Sequence, residues 1–128
     1  MNKIDHVEVQ SAVTLASEKW KAGFNSANPN ICAAAYHEDA VMEVGGMGSF
    51  IGKAAIFKFW QDFILSGAKD VEYFDTKMDV IDTNTVLLTS NWKMNVGQGR
   101  ITKEKWCRQH DNQWLLTEDA FEMTEKFI

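Results

Sequence analysis

The hydrophobic period of this chain changes once, at Gly67. Before it, apolar residues return every three or four positions. Val9, Ala12, Val13, Ala16, Trp20 and Phe24 make one such series, and Ile56, Phe59, Trp60, Phe63 and Ile64 another. That spacing paints one face of a helix. After Gly67 the period becomes two, which marks strands with one face buried. Four runs result: Val71 to Ile81, Thr85 to Val96, Arg100 to Gln109 and Gln113 to Thr124. Their joints, Asp82-Thr83-Asn84, Gly97-Gln98-Gly99 and His110-Asp111-Asn112, are short and rich in turn formers, so sequential strands run antiparallel.

The first half divides at local signals. Asp5 with Glu8 three residues on suits a helix start, and Gly23 with the following Asn-Ser-Ala-Asn closes that helix. Asn28-Pro29 reads as a cap with proline in the first turn, opening a short helix over Ile31 to Tyr36. Ala40 to Val44 is a strand, Gly45 to Gly52 a flexible loop, and Gly67 stops the third helix. Helices first and strands afterwards make an α+β fold, with the helices on one face of the sheet. Long twisted strands curl around what they cover. The expected architecture is a cone-shaped α+β roll, three N-terminal helical segments packed on a curved, mostly antiparallel sheet and open at one end.

The length of 128 residues suits one domain, 1–128. Such a chain buries about two thirds of its unfolded surface and needs no disulfide or metal staple. Thirteen basic against eighteen acidic residues leave a net charge of −5, which repels phosphate backbones and argues against nucleic acid as a partner. No run approaches the ~18 apolar residues of a membrane span. The opening MNKIDHVEVQ has no apolar segment after its lysine, and Cys32 and Cys107 fit no metal or redox spacing. A cytoplasmic protein is expected.

Cofactor motifs are tested and set aside. Gly46, Gly48 and Gly52 do not form G-x-G-x-x-G, and Gly52-Lys53 precedes Ala54 where a phosphate loop needs a hydroxyl. Those glycines suit a loop at a cavity rim. In His37-Glu38-Asp39 three consecutive side chains point in different directions, which suits a polar connector better than a metal site. No serine lies in G-x-S-x-G, and Cys107 beside Trp106 suits an inert packed thiol. No metal or other cofactor is expected.

The strand acids carry the chemical interest. Arg100, Thr102, Glu104, Trp106 and Arg108 share one strand face by simple alternation, as do Thr117, Asp119, Phe121 and Met123. Two registers are open. In one, Glu104 and Asp119 enter an aromatic hollow, where burial raises a carboxyl pKa and creates an acid or base usable near neutrality. In the other both acids are solvated.

Tyr36-His37-Glu38-Asp39-Ala40 at the strand entry and Gly52-Lys53-Ala54-Ala55-Ile56-Phe57-Lys58-Phe59-Trp60 at the third helix resemble nuclear transport factor 2-like, or SnoaL-like, domains over nearly the whole chain. That superfamily includes ketosteroid isomerase, whose aspartate base and oxyanion hole of a tyrosine and a protonated aspartate are implied at matching positions. The base position falls on Val44, which moves no proton, with Glu43 beside it. The tyrosine position falls on Trp20, the protonated-acid position near Glu104, and a further pocket aromatic on Trp60, with Tyr36 adjacent. The resemblance therefore implies a cone-shaped pocket without the steroid-isomerase mechanism.

The combined expectation is a cavity for a small apolar or aromatic organic ligand, lined by Trp20, Tyr36, Val44, Trp60, Trp106 and Phe121. Glu104 and Asp119 are its candidate catalytic residues, for isomerase, cyclase or dehydratase-type chemistry without a cofactor. The alternative is a non-catalytic dimeric module whose aromatics fill the cone. Val86, Leu88, Trp92, Met94 and Val96 alternate along one strand, and the other, outer sheet face would bury against a second copy, a homodimer that fits both readings. A cavity of roughly 300 Å³ or more separates the two readings.

Overall fold

The computed structural model describes residues 6–127. Three helices precede and interrupt a single six-stranded sheet: α1 (His6–Asn25), α2 (Pro29–Ala34), β1 (Tyr36–Val44), β2 (Gly48–Ile51), α3 (Lys53–Leu65), β3 (Glu72–Asp82), β4 (Thr85–Met94), β5 (Gly97–Arg108) and β6 (Trp114–Lys126). The architecture is α+β, with helices packed against a curved, unclosed sheet. The expected capping residue Asp5 lies outside the described residues. Among the described residues no helix is long and apolar enough to cross a membrane.

Helix α1 buries Val9, Val13, Trp20 and Phe24, as its spacing dictates, and also Ser17. It runs past Gly23 and ends at Asn25, the first residue of the expected closing stretch. That glycine lies inside the helix, where a Cβ would collide with the Ile31 side chain of α2, so it serves close packing of two helices. The end of α1 is pinned by Asn25, whose side chain accepts from Val71 N at 2.7 Å and donates to Val71 O at 3.2 Å. Asn28 caps α2 by accepting from Ile31 N, with proline in the first turn. Helix α3 ends before Gly67, whose φ of 104° is the left-handed conformation that terminates helices.

Three expectations are corrected. Helix α2 stops two residues early, because Tyr36 pairs with Leu116 of β6 and becomes the first residue of β1. The segment after Val44 is not wholly loop: Gly48–Ile51 folds back on β1 as an antiparallel hairpin. The β4–β5 turn does not use Gly97-Gln98-Gly99. Met94 pairs with Gly97, which leaves Asn95 and Val96 as the turn. Gly99 sits inside the strand, where a Cβ would run into Glu122 O and lie 2.8 Å from Trp92 Cζ2.

The strand order is β2-β1-β6-β5-β4-β3. All neighbours are antiparallel except β1 and β6, which run parallel one strand in from the β2 edge. Register shifts interrupt β5–β6 between Ile101 and Lys103 and between Lys105 and Trp106, and β4–β5 between Leu88 and Ser90. Extra residues of this kind bend a strand and deepen its twist. The bent sheet faces the helices with Val86, Leu88, Trp92, Met94, Ile101, Trp106 and Leu116, all buried.

Candidate functional site

Simple alternation breaks down where the chemistry sits. On β5 the inward residues are Ile101, Glu104 and Trp106, while Arg100 and Thr102 are exposed. The shift after Ile101 inserts a residue and turns Glu104 inward without Thr102. On β6 Leu116 and Asp119 are buried three residues apart for the same reason, and Thr117 faces β5, its hydroxyl 3.4 Å from Cys107 Sγ. Glu104 and Asp119 are direct cross-strand partners. Both are nearly sealed from solvent, at 4% and 5% exposure.

Each acid is held by a different aromatic donor. Trp106 Nε1 donates to Glu104 Oε1 at 2.8 Å. Tyr36 donates its hydroxyl to Asp119 Oδ2 at 2.7 Å and accepts from Trp60 Nε1 at 3.2 Å. The strand β1 thus delivers Tyr36 to the acid of β6, and α3 delivers Trp60 to Tyr36.

Two carboxyls facing each other in an aromatic setting cannot both ionise cheaply. Burial pushes Glu104 up to about 8, helped by the Asp119 charge and opposed by the Trp106 donor and Lys21. Burial pushes Asp119 up to about 7, against the Tyr36 hydrogen bond. The two acids therefore resist ionising together; the Tyr36 phenol favours the charged form of Asp119, and the Trp106 indole that of Glu104. The Tyr36 hydroxyl is driven well above its usual value by burial and by Asp119, so it remains a donor. Burial and the charges of Glu104 and Asp119 likewise raise Tyr73.

The two acids open onto a cavity of about 360 Å³. Of the residues expected from sequence, Trp20, Tyr36, Val44, Trp60, Phe121, Glu104 and Asp119 line it. Trp106 does not. It is 1% exposed and lies off this wall, where it orients Glu104. Val44 stands near the rim with Gly45, Gly46 and Met47, and Glu43 points away and is exposed. Trp60 stacks on Phe121 at 5.5 Å and meets Trp20 edge-on at 4.9 Å, so the aromatic wall is mutually braced.

Tyr73, Trp92 and Met94 also line the cavity and were missed as pocket residues. The period-two pattern of β4 put Trp92 and Met94 on one face. Nothing local distinguished a face that fills a core from one that borders a hollow.

His37, Glu38 and Asp39 form a partly exposed stretch of β1 in which Asp39 N donates to His37 Nδ1 at 3.0 Å. Among the described residues no three acids, histidines or cysteines gather as a metal set. Cys32 is buried and its thiol is pushed up to about 12 by burial, which leaves it inert.

No protein-family model matches the sequence, and no functionally curated protein matches it either. Solved structures do resemble it. A scytalone dehydratase-like protein of Novosphingobium aromaticivorans DSM 12444 superposes with a TM-score of 0.81 at 14% identity, over 99% of this chain and 91% of that one. A type 2 hexachlorocyclohexane dehydrochlorinase (LinA) gives 0.80 at 10% identity, over 98% and 92%. A nuclear transport factor 2-like protein with a cystatin-like fold, also from Novosphingobium aromaticivorans, gives 0.74 at 11% identity, over 92% and 83%.

Proposed function

We propose, starting from a chain that has the nuclear transport factor 2-like fold, that it binds a small, mostly apolar organic molecule and moves protons on it without a cofactor. The observation that carries this reading is the opposed Glu104–Asp119 pair on the wall of an aromatic cavity of about 360 Å³. That volume exceeds the roughly 300 Å³ at which small-molecule sites begin and argues against a filled cone. The names dehydratase and dehydrochlorinase among chains of this fold denote eliminations. In an elimination a base takes a proton from carbon as a leaving group departs.

The pair supplies both roles. Asp119, in the charged form that the Tyr36 phenol favours, takes the proton, and the C–H electron pair becomes the new double bond. Glu104, in its protonated form, gives its proton to the departing hydroxyl, which leaves as water. In an isomerisation the same two groups remove a proton at one carbon and return one elsewhere. Val44 excludes a base at the rim position that the steroid-isomerase pattern uses.

The test is a panel of aromatic and terpenoid ligands followed by tryptophan fluorescence, then turnover of whichever alcohol or ketone binds. Glu104→Gln and Asp119→Asn each lower turnover about 10²-fold or more. Turnover unchanged in both variants removes the pair from the chemistry, and a panel without a single binder removes the cavity reading.

A further inference from the structure

Among the described residues that line the cavity, only Gly45, Gly46, Met47 and Met123 are exposed. The mouth therefore presents two side chains to bulk water, and both are thioethers. Met47 is 67% exposed and Met123 39%, whereas Glu104 and Asp119 are buried. A ligand on its way to the acids passes the two sulfurs.

Distant segments supply them. Met47 sits at the tip of the β1–β2 hairpin, where its N–H donates to Val44 O at 2.9 Å. Gly46 and Gly48 on either side have φ of 82° and 120°, and a Cβ on either would meet nothing within 4 Å. Backbone conformation, not crowding, favours glycine there. The tip thus stands clear of the fold and carries one large side chain. Met123 comes from β6. A Cβ on Gly97 would lie 3.0 Å from its Sδ, so this thioether rests against bare backbone of β5.

An unbranched thioether is apolar and flexible, and yields to an entering apolar ligand. It is also oxidisable. The sulfur lone pair attacks one oxygen of hydrogen peroxide. An S–O bond forms, the O–O bond breaks, and the other oxygen takes both protons and leaves as water. Sulfur is oxidised by two electrons and the peroxide is reduced. The sulfoxide is polar, and reductases return it to the thioether. A mouth bearing two such oxygens is hydrated, and an apolar ligand must strip that water to enter.

We propose that Met47 and Met123 are a peroxide-modification site that controls admission to the cavity: as thioethers they pass apolar ligands, and as sulfoxides they exclude them. The inference rests on the cavity-binding reading above and adds a regulation of that site. Met42, 0% exposed, and Met94, which lines the cavity at 7% exposure, are the internal comparison.

The full chain is treated with dilute hydrogen peroxide, and peptide mass mapping follows each methionine. Met47 and Met123 are expected to gain oxygen about tenfold faster or more than Met42 and Met94. Naphthalene binding, read by the fluorescence of the probe, is expected to weaken about tenfold or more on oxidation. A methionine sulfoxide reductase restores it. In the Met47→Leu/Met123→Leu double variant, compared with its own untreated form, peroxide changes the affinity by less than about twofold. Cys107 is present in both proteins, so its oxidation cancels. Thermal melts monitor folding, and if the double variant fails to fold the single variants decide, each losing part of the peroxide response. Oxidised wild type that binds naphthalene as before overturns the inference and leaves the cavity reading intact. So does oxidation of Met42 or Met94 in step with the mouth, or a double variant that loses as much affinity as the wild type. Untreated protein that binds no naphthalene overturns both readings.

Discussion

Tyr36→Phe removes one oxygen from the centre of the carboxyl network. In the wild type that oxygen donates to Asp119 Oδ2 at 2.7 Å and accepts from Trp60 Nε1 at 3.2 Å. The variant strands the Trp60 N–H in a buried position, at a cost of about 1–3 kcal/mol. It also removes the interaction that opposes the upward shift of Asp119, so the folded-state pKa of that carboxyl rises further. Between the ordinary aspartate range and about 7, the folded protein binds more protons at Asp119 than the unfolded chain does. Stability attributable to this group therefore falls as pH climbs through that window and is intact below it. The Tyr36→Phe penalty is thus smallest in acid. It grows with alkalinity by about 1.4 kcal/mol for each pKa unit that Asp119 moves. Glu104 titrates in both proteins and cancels to first order. Urea denaturation at pH 5 should give a loss of about 2 kcal/mol, and at pH 9 a loss larger by at least about 1 kcal/mol. A penalty equal at the two pH values refutes the idea that the phenol holds an ionised Asp119, and with it the division of roles between the two acids.

Glu104→Gln keeps an acceptor for Trp106 Nε1 and deletes a charge that burial disfavours. Stability at pH 9 should rise by on the order of 2 kcal/mol and its decline between pH 5 and 9 should flatten; parallel wild-type and variant profiles would contradict this. Gly99→Ala forces a methyl group into Glu122 O and the Trp92 ring. It should cost about 1–3 kcal/mol in denaturant and blue-shift or broaden tryptophan emission, and a neutral effect would mean that β5 does not run this close to β6. Asn25→Ala cuts both hydrogen bonds to the Val71 backbone, for an expected loss of about 2 kcal/mol. Hydrogen exchange should speed up at the start of β3 before it does elsewhere.

What the sequence determined by itself is the list of elements and their order. The change of period at Gly67 separates helices from long strands, and proline, glycine and asparagine mark most of their ends, because backbone preference and face periodicity are local properties. The candidate site was legible there as residue types, acids among aromatics, but not as geometry. Whether Glu104 and Asp119 face inward depends on shifts after Ile101 and beside Leu116 that break odd–even counting. Whether Trp106 borders the cavity or stands behind Glu104 depends on the same bends. Tyr36 reads as the end of a helix, and only β6, eighty positions further on, takes it into a strand and aims its hydroxyl at Asp119. Tertiary structure alone made those decisions, since register and cavity shape are settled by which distant strands pair and where they bulge, and no window of neighbouring residues carries that energy.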